Sequence, residues 1–208
     1  MEENIIQSKE ILILEAAEHE FLAKGYDGAR TTSIAKIAGV THAMLHYYYR
    51  TKEQLFERIL DKNMSHIATI MVAAISKTDL PFLERLKESI TSHFDFVATN
   101  PLLPRFILNE IILQPERYEM MKNKLVTSSK EMFLNVQSEI DSLSHKGEIE
   151  WIDAKLLFMS IVSLNVFPFI VYPFAEVIMG NTMADKEIFI QQRKAENIET
   201  IMRRLKKI

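Results

Sequence analysis

The sequence contains no cysteine, which excludes disulfide bonds and thiolate metal sites. Glycine is scarce, with 5 among 208 residues. None of them builds a glycine-rich phosphate loop, and neither a Gly-x-Ser-x-Gly elbow nor a His-Glu-x-x-His helix occurs. No stretch alternates apolar and polar residues over any length, so strands are not expected. An excess of one charge is also lacking: 25 Lys and Arg stand against 28 Asp and Glu, a formal net charge of −3. Such a chain does not coat nucleic acid indiscriminately, and any DNA contact must be a local patch. The start, Met1-Glu2-Glu3-Asn4, has neither a basic nor an apolar signal segment, so a cytoplasmic location is expected. The acid-rich run Glu15-Ala16-Ala17-Glu18-His19-Glu20 is expected to be a solvated helix face. No catalytic residue, metal or cofactor is expected.

What is present is helical periodicity, and the expected fold class is all-α. Beyond a pair of short helices near the start, helices are expected over 5–24, 52–76, 81–99, 103–113, 115–144, 152–179 and 184–207. They are separated by Asp79-Leu80-Pro81, Asn100-Pro101, Gln114-Pro115, His145-Lys146-Gly147 and Gly180-Asn181. The first should bury Ile11, Leu14, Ala17 and Phe21; the 52–76 helix should bury Leu55, Ile59, Met64, Ile67 and Met71. Segment 156–175 carries no charge, and about twenty apolar residues span a bilayer. Ser160, Ser163 and Asn165 are polar, however, and Pro168 and Pro173 should each interrupt a helix. A core helix is the expectation, with no membrane. Phe158, Val162, Val166 and Ile170 offer more apolar surface than one small subunit covers, so a partner subunit is expected on that side.

The most informative stretch is Thr31-Thr32-Ser33-Ile34-Ala35-Lys36-Ile37-Ala38-Gly39-Val40-Thr41, followed by His42-Ala43-Met44-Leu45-His46-Tyr47-Tyr48-Tyr49-Arg50-Thr51-Lys52. Thr31 or Thr32 is suited to cap a first helix, and Ile34, Ala35 and Ala38 share one face of it. Gly39 supplies the positive φ of a tight turn. Thr41 is a second N-cap and Leu45 the inward anchor of a second helix. Thr51 with Gln54 three residues on forms a capping box that starts the next helix. This is a helix-turn-helix, placed at about 32–50, and it implies DNA binding. From Gly28 to Lys52 there is no Asp or Glu, while Arg30, Lys36, Arg50 and Lys52 are cationic.

The same residues resemble the TetR/AcrR family of bacterial transcriptional regulators. The family's Phe-x-x-x-Gly-Tyr stands here as Phe21-Leu22-Ala23-Lys24-Gly25-Tyr26. Its Ile-Ala-x-x-Ala-Gly-Val-Ser stands as Ile34 to Thr41, after Thr31 and Thr32, and its Leu-Tyr-x-x-Phe-x-x-Lys-x-x-Leu as Leu45-His46-Tyr47-Tyr48-Tyr49-Arg50-Thr51-Lys52-Glu53-Gln54-Leu55. Ala43-Met44 replace the frequent Gly-Thr or Pro-Thr, and His46 replaces the usual Tyr. The resemblance implies an N-terminal three-helix DNA-binding unit at 6–66 and a helical ligand-binding and dimerisation domain at 67–208. It implies that Arg30, Thr31, Thr32, Lys36, Thr41, His42, Ala43, Met44, His46, Tyr47, Tyr48 and Lys52 face double-stranded DNA bearing a near-palindromic operator. Among them Tyr47, Lys52 and the Thr31/Thr32 helix start would hold phosphates. It also implies a homodimer through 152–179 and 184–207, and a repressor released by a small apolar effector. Candidate lining residues for that effector are His66, His93, Phe94, Phe106, Asn109, Glu110, Phe158, Asn165 and Phe169. A helical ligand-binding or adaptor protein that has lost specific DNA binding is the alternative.

Overall fold

The computed structural model describes the backbone of residues 2–75, 79–179 and 183–207, and the side chains of residues 9–70, 79–122, 130–178 and 186–207. The Met71 side chain, Ser76 and the break at Gly180-Asn181 lie outside the described residues. Described segments form α1 (Glu2–Gly28), α2 (Thr31–Ile37), α3 (His42–Tyr48), α4 (Lys52–Ile75) and α5 (Phe82–Thr99). They continue as α6 (Leu103–Ile107) with a π-turn at Leu108–Ile112, α7 (Pro115–His145), α8 (Ala154–Met179) and α9 (Met183–Leu205). No strand occurs among the described residues, as an all-α class requires.

The chain divides into two compact units. Unit 1 comprises Met1–Ile67 with Phe106–Gln114, and unit 2 comprises Ala68–Arg105 with Pro115–Ile208. Segment 106–114, expected in the second domain, thus clusters with the first.

In unit 1, Ile13, Ala17, Phe21, Ile34, Leu45, Leu55, Phe56 and Ile59 are almost entirely excluded from solvent. Burying a large apolar side chain of this kind stabilises by about 1.5–3 kcal/mol. The buried face of α1 is Ile13, Ala16, Ala17 and Phe21; Ile11, expected inside, is half exposed. Gly25, within α1, has φ 69 and ψ 178, where a side chain is strained. A Cβ there would also collide with the Glu110 carboxylate. That turn aims Tyr26 edge-on against Phe56, with ring centroids 4.9 Å apart.

Unit 2 is built from α5, α7, α8 and α9. Phe82, Leu86 and Ile90 of α5 meet Val136 and Ile140 of α7, Leu157 and Ile161 of α8, and Ile201 and Leu205 of α9. Pro168 and Pro173, expected to interrupt α8, lie inside it. The carbonyl of Leu164 is the one that Pro168, lacking an N–H, leaves open four residues back. The Asn197 amide of α9 donates to that oxygen at 2.8 Å. α8 is also the one described helix long and apolar enough to cross a membrane. Phe158, Val162, Val166 and Ile170 are half-buried in the single chain. The exposed apolar side chains are instead Leu156, Met159, Phe167, Phe174, Val177 and Ile178.

Candidate nucleic-acid interface

α2 ends in a Schellman turn, in which two crossed backbone bonds satisfy the last carbonyls of a helix. Val40 N–H donates to the Ala35 carbonyl at 3.0 Å and Gly39 N–H to that of Lys36 at 3.2 Å, with Gly39 at φ 66. Thr41 then caps α3, its hydroxyl accepting from Met44 N–H at 3.2 Å. The expected cap of α2 is corrected. Arg30 occupies the cap position with no side-chain bond, and Thr31 is already helical. Freed from capping, Thr31 Oγ1 bonds His42 Nε2 at 3.0 Å, tying the start of α2 to the start of α3.

The acid-rich run of α1 is not a solvated face throughout. Glu15 and His19 are exposed. Glu18 accepts from Lys62 at 2.6 Å and from Asn63 at 2.7 Å. Glu20 is only 2% exposed. Burial pushes its carboxyl up, but hydrogen bonds from Lys24, Ser33 and the Arg30 N–H outweigh that and hold it below its ordinary value. Glu20 thereby holds the first turn of α2 against α1. Tyr49 does the same for the end of α3: it is buried, and its hydroxyl donates to Glu10 at 2.9 Å. Burial first, and the Glu10 carboxylate second, push that phenol up to about 12. Neither residue was singled out from sequence, because its partner is 10 or 39 positions away.

Leu45 is 1% exposed and points α3 inward, as expected. On the solvent side Thr32, Thr41, His42, Ala43, His46 and Tyr47 are exposed, Tyr47 to 80%, whereas Thr31, Met44 and Tyr48 are half-buried. The His42 and His46 rings meet edge-on at 4.3 Å, and Tyr47 and Tyr48 at 5.6 Å. His46 Nδ1 lies 3.3 Å from the Arg50 carbonyl oxygen. Arg30, Lys36 and Arg50 are exposed, with no carboxylate within 4.0 Å among the described residues. Arg50 was not among the expected contacts, although the acid-free run from Gly28 to Lys52 contained the signal. Lys52, expected at a phosphate, is partly engaged within the protein. Its ammonium lies 4.5 Å above the Tyr26 ring and 3.4 Å from the Asp27 carbonyl.

The expected effector residues fall in different places. His66 is exposed on α4. In unit 1, Phe106 packs on Phe56 at 5.6 Å, and Asn109 and Glu110 sit on the π-turn. In unit 2, His93, Phe94, Asn165 and Phe169 do come together. Asn165 Nδ2 donates to the Ile90 carbonyl at 3.0 Å and faces His93 Nδ1 at 3.2 Å, while Asn197 donates to Asn165 Oδ1 at 3.0 Å. The Phe94 and Phe169 rings stand 5.4 Å apart. Burial pulls His93 down to about 4, so its imidazole is neutral and accepts from Asn165. Phe158 instead pairs with Phe133 at 5.4 Å and lines a separate cavity of about 30 Å³ beside Leu86 and Ser89.

Residues 13–59 match the family of bacterial regulatory proteins, tetR family. The transcriptional regulator RutR of Escherichia coli K12 is 26% identical over 200 residues, covering 95% of this chain and 90% of its own. The transcriptional activator FasR of Mycolicibacterium smegmatis is 23% identical over 155 residues, covering 74% and 67%. The fold is shared with a hemolysin II transcriptional regulator, at a TM-score of 0.60 and 24% identity over 91% of this chain and 96% of that one. It is shared also with a TetR-like regulator from Rhodococcus, at 0.62 and 17%, covering 94% of both chains. The matched segment holds the Schellman turn at Gly39, the Thr41 cap and the acid-free outer face of α3; it is through these residues that the chain carries the DNA-binding region of the tetR family of bacterial regulatory proteins.

Proposed function

We propose that this transcriptional regulator works as a cytoplasmic homodimeric repressor. Unit 1 binds a near-palindromic operator, and unit 2 takes a small effector with a largely apolar body that releases it. The observation that carries the DNA reading is the outer surface of α2 and α3. Its exposed cations Arg30, Lys36 and Arg50 have no acid partner among the described residues, and aromatic and imidazole rings are exposed on the same helix pair. Cations so placed neutralise phosphates, while His42, Ala43 and His46 sit where a recognition helix meets base edges. Met44, half-buried, brings a thioether that can touch a thymine methyl but donates no hydrogen bond.

An effector changes DNA affinity only if it binds the two states unequally, and a coupling of about 1–3 kcal/mol suffices for clear release. Repression relieved by ligand is the simplest such arrangement. No catalytic or metal-dependent step belongs to this reading. Fluorescence anisotropy with DNA from the protein's own upstream region tests it. Sequence-preferring, salt-sensitive binding at sub-micromolar protein is expected. Equal binding to scrambled DNA would leave only the helical ligand-binding alternative. A reporter strain lacking the protein should show raised expression; lowered expression would make it an activator.

A further inference from the structure

The residues that close unit 2 on the α8–α9 side form a narrow cleft with an unusual polarity. Phe94, Phe169, Tyr172 and Phe189 are among its walls, and the charged groups that reach it are Lys186 and Arg193. Tyr172 and Phe189 rings are 5.3 Å apart, and the Lys186 ammonium lies 5.4 Å over the Tyr172 ring. The Arg193 Nε is buried and has no hydrogen-bond partner. Among the described residues no carboxylate lies within 4.0 Å of Lys186 or Arg193. The nearby acid of α5, Asp95, is already taken by Lys194 at 2.8 Å.

A buried donor without an acceptor is destabilising, more so when it is charged. Arg193 Nε therefore presents a demand that nothing described in the chain meets, and Lys186 sets a second cation at the same aromatic cleft. A guanidinium is a planar fork that matches the two oxygens of a carboxylate. The rings beside it match an apolar body. Free volume in the cleft is only about 10 Å³, so Phe189, which is half-buried, must shift for entry. That favours a slender chain over a bulky ring system.

We infer that this cleft binds a slender apolar molecule ending in a carboxylate, with the carboxylate held by Arg193 and Lys186 and the chain lying along Phe94, Phe169 and Tyr172. This rests on the reading that unit 2 takes a small-molecule effector, and it adds the headgroup and its receptors.

The test uses the full chain without DNA, by calorimetric titration and thermal melting, with octanoate, 1-octanol and octylamine as probes of one length. Octanoate should bind at least tenfold more tightly than octanol, and octylamine most weakly. Arg193→Gln should bring octanoate down to the affinity of octanol, leave octanol unchanged, and keep the melting temperature. If that variant melts early, Lys186→Gln carries the same test and should shrink the octanoate preference several-fold. The proposal is overturned by equal affinities for octanoate and octanol, by tighter octylamine, or by no octanoate binding at millimolar concentration. It is overturned too by a preference that survives both substitutions, or by an Arg193→Gln that only dissociates the dimer, which would assign Arg193 to an acid of a second copy. Octanoate binding with failed operator binding would leave this site standing and remove the DNA reading; the converse would remove this site alone.

Discussion

Single residues in unit 1 sort by what they touch. Lys36 and Arg50 are exposed cations that lie outside α3, the helix proposed to meet base edges, so under the proposed function their contribution is to phosphate. Lys36→Ala or Arg50→Ala should weaken binding to every DNA sequence alike and lower the slope of log affinity against log salt by about one. His42 is different, because it stands in the first turn of α3 and is oriented by Thr31 Oγ1 at 3.0 Å. His42→Ala should change the preferred base at one position by about 1–3 kcal/mol. A uniform loss across operators, measured by anisotropy on a set of single-base variants, would count His42 among the phosphate contacts instead. In unit 2, His93 predicts a pH dependence of stability. It is neutral down to about 4 in the fold, against an ordinary value of 6.5. Between those values the unfolded chain binds the extra proton, so stability falls as pH drops through that window and levels off below it. The full loss is about 3 kcal/mol at most, by the energy of each shifted pH unit. Urea midpoints at pH 7, 5.5 and 4 should show the fall in the native protein, and His93→Gln should flatten it. Glu20, whose carboxyl is held below 4.5, adds its own loss only below about that pH, so the fall between pH 7 and 5.5 is the part that reads His93.

At the scale of elements, the legible parts are those written in local chemistry. Gly39, Thr41 and the Thr51–Gln54 box each act within five residues: the structure shows the Schellman bonds, the Thr41 cap and, of the box, the bond from Gln54 N–H to the Thr51 hydroxyl. The face of α1 was read one step off. Ile11-Leu12-Ile13-Leu14 is apolar all round, so periodicity leaves the inward face open, and packing against other helices decides for Ile13. Glu20 read as a surface acid because its partners at Arg30 and Ser33 are tertiary. The scatter of expected effector residues has the same origin, since no local rule says that segment 106–114 joins unit 1. Pro168 gives the sharpest case. From sequence it breaks a helix, yet the Asn197 amide, 33 positions from Leu164, accepts the role of the missing N–H by donating to the Leu164 carbonyl. Asn197→Ala should therefore cost about 1–3 kcal/mol, the penalty for a buried group left unmatched. In a Pro168→Ala background the restored N–H serves Leu164, and Asn197→Ala should cost measurably less. Denaturant midpoints of the four proteins give the coupling; additive losses would mean that the amide does not substitute for the missing N–H.

The whole molecule poses a question of area that the single chain does not answer. Phe167, Phe174, Val177 and Ile178 are 60%, 72%, 79% and 70% exposed along α8, and Ile188 of α9 is 59% exposed. Scattered apolar side chains are ordinary on a surface, but a run of large ones along a single helix marks an interface. A membrane would also cover them, yet α8 carries a buried polar network through Asn165 on its other side, and a lone apolar helix of this length is weak evidence for a span. Under the proposed homodimer a second copy would cover the run, with each subunit's helices packing by a two-fold axis into a four-helix bundle. The same symmetry suits two recognition helices on two half-sites about 34 Å apart. Phe174→Glu with Val177→Glu should convert a sedimenting species of twice the chain mass into one of the chain mass. The folded monomer should retain its helical circular dichroism, because neither position supports the buried core of unit 2. Operator affinity should then fall far more than the affinity of one half-site, since the second half-site is no longer held at high local concentration. A double variant that stays dimeric, or a native protein that sediments as a monomer at micromolar concentration, would move the interface elsewhere and leave the exposed run on α8 without a partner.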